Sequence, residues 1–423
     1  MAPIMARGRI FYGWWVTIAF AVMVFLSSGV RFSVGPFLKP IVADLGTDRA
    51  TYSLIVSLSL LLYGLFMPFV GRLVERWGAR PVAVLGTLVF GASLAGTGLV
   101  TALWQLTLVY GVLVALGLSA TGHVVGSAVV SRWFTRRRAT ALSVLGAASM
   151  AGISLLVPVA MWLILTVGWR AAYGILGLGG TIVLLPLALW VVRDSPESIG
   201  VAPDGAAADP AAPDPVAPEY TAVGDAVRAT PFWQLCGGMY TCGFSMSLLS
   251  AHGVPMLTDH GYHAMLASAA IGVLGASSFA GAMLLGAIAD RFGRRPILAW
   301  LYGTRALLFL AMFLVHDNPL ALLVVSALGG ASMSGSLAMT SALTADIFGR
   351  LSVGTIFGTI FVVHQGGAAL GSWLGGFLFE LTGGYGAAFA IAGVQLLAAA
   401  VVSLTIDETE CGAARLRVVP AER

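Results

Sequence analysis

Five side chains in this sequence have the chemistry to bind or move charge inside a membrane. They are Arg31, Tyr63, His252, His364 and Gln365. Arg31 follows a run of about twenty mostly apolar residues that begins near Tyr12, which is long enough to cross a bilayer. An arginine inside such a run is costly unless it lines a polar cavity. The sequence therefore predicts a water-accessible path in which Arg31 binds an anionic substrate.

Each of these residues also has a structural interpretation. Arg31, predicted to lie towards the outer half of its helix, can pair bidentately with a carboxylate or snorkel to the outer interface. His252 is expected at a comparable depth, and His364 with Gln365 midway along a later span. Either histidine could carry a co-transported proton or bind the substrate, or remain neutral and hydrogen-bonded between helices. Tyr63 could offer its hydroxyl to an anion or simply pack.

The acidic residues are absent from the apolar runs. All 19 lie in loops, tails or the ends of the runs. A cavity with basic groups and no carboxylates attracts anions and repels cations. This disfavours an exporter of cationic drugs. We expect His123 to pack or gate, and Arg305 to make a structural pairing near the cytoplasmic side.

The composition is that of a polytopic α-helical membrane protein. Of 423 residues, 58% are hydrophobic and 10% charged, whereas soluble domains carry roughly 25% charged residues. The net charge of +4 indicates no nucleic-acid partner, because the arginines cluster beside the apolar runs. No metal-ligand cluster or phosphate-binding loop is present. We therefore expect no enzymatic activity, no metal and no cofactor, and transport driven by a gradient.

Twelve apolar runs predict twelve membrane spans. They lie near 11–37, 50–74, 80–101, 103–130, 137–164, 168–193, 231–258, 263–289, 296–315, 319–345, 352–378 and 385–406. The predicted fold is an all-α membrane protein of two pseudo-symmetric six-helix bundles. Residues 1–193 would form the first bundle, 194–230 a cytoplasmic linker rich in Pro, Ala and Asp, and 231–423 the second bundle with a short cytoplasmic tail.

The orientation follows from the basic residues, which accumulate in cytoplasmic loops. With the N-terminus inside, the outer loops carry only Lys39, Arg49 and Arg170. We therefore predict a multi-pass protein of the cell inner membrane with both termini in the cytoplasm.

The two halves repeat. GRLVERWGARP (71–81) and GAIADRFGRRP (286–296) are 215 residues apart, and SRWF (131–134) and ADIF (345–348) are 214 apart. A nearly constant offset indicates two halves related by duplication. Such halves usually rock about a binding site at the middle of the bilayer.

Both copies of the first repeat resemble the loop signature of the major facilitator superfamily, Gly-x-Leu-x-Asp-Arg-x-Gly-Arg-Arg. The resemblance implies a cytoplasmic charge cluster that holds one gate state. Its members would be Gly71, Glu75, Arg76, Gly78, Arg80, Gly286, Asp290, Arg291, Gly293 and Arg294.

Further motifs resemble the monocarboxylate transporter and oxalate–formate antiporter group. They are YGWWV, the GxRxSxGxFxKP pattern (29–40), RWFTRRRATALSVLGAASMAG (132–152) and HGVPMLTDHG (252–261). Several members of that group carry an arginine in the eighth span for the substrate carboxylate; this chain has none, and Ala282 stands near that place.

This resemblance implies a monomeric secondary transporter of small organic anions, with monocarboxylates as the leading candidates. Transport would proceed by alternating access with proton symport. An oxalate–formate type of anion exchanger and an efflux carrier for hydrophobic compounds remain alternatives.

Overall fold

The chain folds into long α-helices joined by short turns. The computed structural model describes residues 11–134, 137–202, 219–333, 335–349, 353–407 and 417–418. The helices are α1 (Tyr12–Phe32), α2 (Val34–Leu45), α3 (Arg49–Trp77), α4 (Ala79–Thr97), α5 (Leu103–Leu106), α6 (Ala115–Thr121), α7 (His123–Trp133), α8 (Arg138–Pro186), α9 (Val223–Ala226), α10 (Thr230–Asp259), α11 (Ala264–Phe292), α12 (Arg294–Leu314), α13 (Pro319–Met333), α14 (Ser336–Phe348), α15 (Val353–Thr382) and α16 (Gly386–Leu404).

The helices are consistent with twelve membrane crossings. Within the described residues, nine helical segments are long and apolar enough to span a bilayer. One of them, Thr140–Val191, has 52 residues, and α8 within it turns at Gly168, whose φ of 82° is readily adopted only by glycine. That segment therefore holds two crossings, and α10 and α15 are the two further long helices. The all-α membrane fold predicted from the sequence is confirmed.

Two apolar cores lie side by side. The first contains Phe20 and Phe90 from the first half, and the second contains Phe244 and Phe348 from the second half. The predicted boundaries of the bundles and of the 194–230 linker stay predictions, and residues 203–218 of that linker lie outside the described part. A two-residue strand, β1 (Glu219–Tyr220), pairs antiparallel with β2 (Arg417–Val418).

The first crossing is longer than predicted. It consists of α1 and α2, separated at Ser33, and ends at Leu45 rather than near residue 37. Because the helix restarts after Ser33, Pro36 falls in the first turn of α2, where its missing N–H costs no hydrogen bond. Arg31 thus lies beside a hinge in the crossing.

The fourth and tenth crossings are broken at matching places. Gly122 separates α6 from α7 with an extended backbone, and Gly335 precedes α14 with a φ of 94°. The two glycines are 213 residues apart, close to the offset of the sequence repeat. Breaks in paired helices mark the binding region of many transporters built from repeats.

Glycines let helices of the second half approach closely. A Cβ on Gly243 of α10 would lie 2.0 Å from the carbonyl oxygen of His364, and one on Gly371 of α15 would lie 2.3 Å from that of Phe244. Small residues permit such approach where no hydrophobic force drives helices together in lipid. The backbones of α10 and α15 are therefore in direct contact around His364.

Candidate functional site

Arg31 lies near the middle depth of the protein. Its guanidinium carbon is 4.5 Å from the ring centroid of Tyr63, a cation–π geometry. Tyr63 lies at the midpoint of α3, fourteen residues from either end. Arg31 therefore lies close to mid-depth, slightly past the midpoint of the crossing formed by α1 and α2. The predicted position towards the outer half stays a prediction.

Gln365 and His364 of α15 lie beside this pair. Arg31 Nη2 donates to Gln365 Oε1 at 3.3 Å, and His364 Nδ1 lies 3.0 Å from the same oxygen. The amide nitrogen of Gln365 donates to the Leu60 carbonyl at 3.2 Å, which fixes the amide orientation. Since Oε1 can only accept, His364 Nδ1 carries the hydrogen. The structure thus brings four predicted site residues together, namely Arg31, Tyr63, His364 and Gln365.

The charge of Arg31 has no acidic partner in the described part of the chain. The ion pairs found there involve other cations, and Gln365 offers Arg31 a neutral oxygen. A small cavity of about 10 Å³ adjoins the guanidinium, which is room for about one water-sized group. It is lined by Arg31, Val34, Val56, Ser59, Leu60, Tyr63, Tyr110 and Leu118. This arrangement leaves a positive charge facing a largely apolar space.

The break at Gly122 places a helix N-terminus next to this site. A Cβ on Gly122 would lie 3.2 Å from the hydroxyl of Tyr63, so the start of α7 is close to the ring that stacks on Arg31. No side chain caps α7, and its first N–H groups carry the positive end of the helix dipole. His123, the first residue of α7, is exposed although it lies in mid-crossing. The predicted packing or gate role of His123 stays a prediction; the residue directly follows Gly122, which contacts Tyr63.

Two features of the site were missed from the sequence. Tyr110, 4% exposed, lines the cavity of Arg31 and lies in the π-helical segment Thr107–Val114. Gly122 breaks the helix without a proline. A π-helical segment is frequent at functional sites, but TLVYGVLV has no sequence signal that distinguishes it from an ordinary apolar helix.

His252 lies apart from the Arg31 site. It is fully buried seven residues before the end of α10, far from the middle of that helix. Its Nε2 lies 2.8 Å from the Ser372 carbonyl and its Nδ1 lies 3.4 Å from the hydroxyl of Tyr385. The carbonyl can only accept, so Nε2 carries the hydrogen and Nδ1 accepts. The prediction that His252 and Arg31 share a depth was wrong, because the two repeats place these residues at different heights in their helices.

His252 belongs to a group of contacts that joins the two halves on one side of the protein. We call the side of Tyr12 and Trp77 the terminal side and the opposite one the far side. On the far side Arg49 of α3 pairs with Asp259 of α10 at 2.6 Å and donates to Tyr385 at 2.8 Å. Its backbone N–H donates to Glu380 at 3.0 Å. We name Arg49, Asp259, Glu380, Tyr385 and His252 the far-side closure.

Hydrogen bonds between the halves extend from the far side to the depth of Arg31. Ser57 donates to the Ala369 carbonyl at 2.6 Å, and the bonds of Gln365 lie about one helical turn deeper. Contacts between the halves therefore close the far side. His123, at the depth of the site, is exposed.

The first loop signature makes contacts within its own half. Gly78 has a φ of 86°, and the carboxylate of Asp194 accepts from the backbone N–H groups of Ala79 and Arg80 at the start of α4. Glu75 is exposed at the end of α3, as are its neighbours Arg72 and Arg76. A cap on the N-terminus of α4 by an acid after the sixth crossing was not predicted.

The second loop signature also acts within its half. Gly293 has a φ of 86°, and Arg294 forms an ion pair with Asp346 of α14. The side chains of three predicted members lie outside the described part of the chain: Gly286, Asp290 and Arg291. The proposed role of these loops in holding a gate state therefore stays a prediction.

Long apolar helices packed around a cation at mid-depth are those of a multi-pass membrane protein. The chain belongs to the Major Facilitator Superfamily, whose family model matches residues 20–317 and again residues 235–415. Proteins of this family are transporters rather than enzymes.

Relatives and solved structures agree with this membership. The chain is 27% identical over 387 residues to the uncharacterised MFS-type transporter YcxA of Bacillus subtilis, covering 88% of this chain and 90% of that one. It is 25% identical to monocarboxylate transporter 13 of Bos taurus, covering 95% and 90%. A bacterial homologue of the human lysosomal transporter Spinster, solved inward-facing and occupied, has a TM-score of 0.70 at 17% identity, covering 95% and 96%. That last likeness shows the fold alone.

Proposed function

We propose that the protein transports a small organic anion, in the first place a monocarboxylate, by alternating access with proton symport. The observation that carries this proposal is Arg31 at mid-depth without a carboxylate partner in the described chain. A buried guanidinium costs several kcal/mol unless a charge balances it. A substrate carboxylate supplies that charge, and the planar fork of arginine matches its two oxygens.

The surroundings of Arg31 suit an anion with a short apolar tail. The start of α7 adds N–H donors and a positive dipole end beside Tyr63. Val34, Val56 and Leu118 line the remaining wall. The names of the monocarboxylate transporter relatives support the same substrate class.

The proton would be carried by a histidine. His364 is the first candidate, because its Nε2 is buried without a hydrogen-bond partner in the described structure and its neighbour Gln365 contacts Arg31. His252 is the second, and its place in the far-side closure would couple a proton to opening rather than to substrate contact.

We further propose that the protein is a monomer of the cell inner membrane with cytoplasmic termini. The terminal side is then cytoplasmic, and the far-side closure corresponds to an inward-facing state. Lys39, Arg49 and Arg170 would face the opposite compartment, in line with the preference of basic residues for the cytoplasmic side.

Two alternative functions make different predictions. An anion exchanger would require substrate on both sides of the membrane, whereas a symporter would not. An efflux carrier for hydrophobic compounds would depend on the apolar wall around Val56 and Leu118 and would not need the charge of Arg31.

The test is uptake of labelled monocarboxylates into proteoliposomes that contain the purified protein. We expect accumulation driven by an inwardly directed proton gradient, and a loss of about 30-fold or more in Arg31→Ala, because charge-assisted bonds of about 2–3 kcal/mol disappear. Arg170→Ala is the matched control, since Arg170 pairs with Asp44 on the far-side surface.

Three outcomes decide between the candidates. Uptake indifferent to the pH gradient but dependent on internal substrate would identify an exchanger. Uptake equal in Arg31→Ala and Arg170→Ala would overturn the assignment of the site. Transport of neutral hydrophobic compounds, with no response to any carboxylate, would favour efflux.

A further inference from the structure

A second arginine, Arg305 of α12, is fully buried within the second half. Its Nη2 donates to the carbonyls of Ser332 at 2.8 Å and Met333 at 3.0 Å. These are the last residues of α13, so Arg305 lies at the negative end of that helix dipole. The partial charge of a helix end balances only part of a full cation.

The other edge of the guanidinium contacts a thiol. Arg305 Nη1 lies 3.3 Å from Sγ of Cys242, which is itself fully buried in α10. In the described part of the chain no ion pair to a carboxylate involves Arg305. A thiol next to an arginine ionises more readily than a free thiol. The ionised thiol of Cys242 can therefore serve as the anionic partner of Arg305, a role usually taken by a carboxylate.

His364 lies beside the same thiol. The carbonyl of His364 packs directly on Gly243, the residue that follows Cys242 in α10, so the backbones of the two residues are adjacent. His364 is 6% exposed. Its Nδ1 hydrogen is used by Gln365, so Nε2 has a free lone pair and no hydrogen-bond partner among the described residues. A buried nitrogen in this condition is rare and calls for a donor.

We propose that Cys242 is a proton-carrying site of the transport cycle, exchanging a proton with Nε2 of His364 while Arg305 holds the thiolate. Sγ–H loses its proton and keeps the electron pair of the bond; Nε2 gains the proton, which gives an imidazolium. The net charge of the pair is unchanged. The imidazolium then releases its proton to water during the transport cycle, leaving the thiolate paired with Arg305.

This proposal rests on the proton coupling proposed above and names the acid that would take part in it. A positive His364 next to Gln365 would add to the field of Arg31, so an anion and a proton would each favour binding of the other. The remaining groups that face the thiol are not acidic near neutral pH. They are Ser336 Oγ at 3.2 Å, Met246 Sδ at 3.8 Å and the phenol of Tyr302, whose ring centroid is 5.9 Å from the guanidinium carbon of Arg305.

The experiment measures thiolate absorbance near 240 nm on the purified full-length protein carrying Cys236→Ser and Cys411→Ser, with no substrate present. An ordinary thiol is only a few per cent ionised at pH 7. We expect a band at pH 7 about ten times larger than that, which disappears at pH 5 and in Cys242→Ser. Arg305→Gln should reduce it to the ordinary level.

A band no larger than that of an ordinary thiol, or one unchanged by Arg305→Gln, would overturn the proposal and leave Arg305 as a helix cap. If Arg305→Gln does not fold, the proposal is still tested by the size of the thiolate band and by its loss in Cys242→Ser. In proteoliposomes, Cys242→Ser should slow pH-driven uptake about tenfold more than Cys236→Ser, a buried cysteine in the same helix. Because the absorbance needs no transport, failure here is separate from failure of the proposed function.

Discussion

At the scale of single residues, three wholly or partly buried arginines are balanced in three different ways. Arg49 has a carboxylate at 2.6 Å, Arg305 has helix carbonyls and a thiol, and Arg31 has an amide oxygen and an aromatic face. Desolvation penalises each charge unless partners balance it. Arg31 has the least compensation of the three.

A histidine pair on the far side makes stability depend on pH. The ring centroids of His260 and His316 are 4.2 Å apart, with the planes tilted by 30°. Burial, with repulsion from His316, lowers the pKa of His260, while Asp259 opposes the shift. Because the pKa of His260 is lower in the folded protein than in the unfolded chain, folding favours its neutral form. The resulting contribution to stability is fully present above the ordinary histidine pKa of about 6.5 and is lost as the pH falls through the lowered pKa of the folded state. We expect His260→Asn to reduce the fall in melting temperature between pH 7.5 and 5 by about 1–2 °C.

The control for this prediction is His263→Asn, three residues further along the same turn. His263 is exposed and accepts from the Met265 N–H, so its removal should leave the pH dependence unchanged. An equal effect of both variants would show that the His260 environment is not responsible. Melting in detergent, followed by intrinsic fluorescence, gives the measurement.

At the scale of helices, the sequence predicted the crossings but not their interruptions. Apolar runs locate helices because the bilayer requires every backbone group to be paired internally. The break at Gly122 lies in Ala-Thr-Gly-His, with no proline beside it. It is accompanied by packing against another helix, the approach of Gly122 to Tyr63, which local sequence does not encode. The restart after Ser33 does have a local signal, Pro36 in the first turn of α2.

Close packing of α10 on α15 can be tested with a single methyl group. An Ala at position 243 would place its Cβ 2.0 Å from the His364 carbonyl oxygen. We expect Gly243→Ala to cost about 1–3 kcal/mol by forcing the helices apart, and to lower the melting temperature. It should also disturb the His364 side chain and weaken carboxylate binding.

Gly237 provides the comparison in the same helix. A Cβ there meets nothing within 4 Å, and alanine is favoured over glycine in a helix by about 0.5–1 kcal/mol. Gly237→Ala should therefore be neutral or slightly stabilising. A thermal unfolding experiment in which both variants behave alike would contradict the close approach.

At the scale of the whole molecule, the two halves are held together on the far side. The repeat predicted two related halves, and the charge pattern identified Lys39 and Arg49 as far-side residues. It did not reveal that both contact Asp259, because contacts between segments some 200 residues apart leave no local signature. The role of His252 in this closure was missed for the same reason.

Arg49 should control how often the far side opens. Arg49→Ala removes the pair with Asp259, the bonds to Tyr385 and a contact with the Phe379 ring at 3.8 Å. Partly exposed contacts of this kind are worth about 1–2 kcal/mol together. We therefore expect about a tenfold rise in the open population.

A cysteine introduced into the far-side closure would report how often the far side opens. Ser372 is fully buried beside His252, so Ser372→Cys should react with a membrane-impermeant thiol reagent only when the far side opens. Its labelling rate should rise about tenfold with Arg49→Ala. Arg170→Ala, which breaks the Asp44 pair within the first half, should leave the rate unchanged; a similar rise there would indicate general loosening.

The hydrogen bond from Arg31 to Gln365 competes with the binding of a substrate carboxylate to Arg31. Gln365 belongs to the second half of the chain, and its amide oxygen accepts a hydrogen bond from the guanidinium of Arg31 in the first half. Because Gln365 is part of the same chain, it competes for Arg31 at a fixed effective concentration. A carboxylate that enters must displace it, so the measured affinity is weaker than the intrinsic one. In return, the loaded protein has one fewer hydrogen bond between its halves. Substrate binding would thus loosen the joint about which the halves must move.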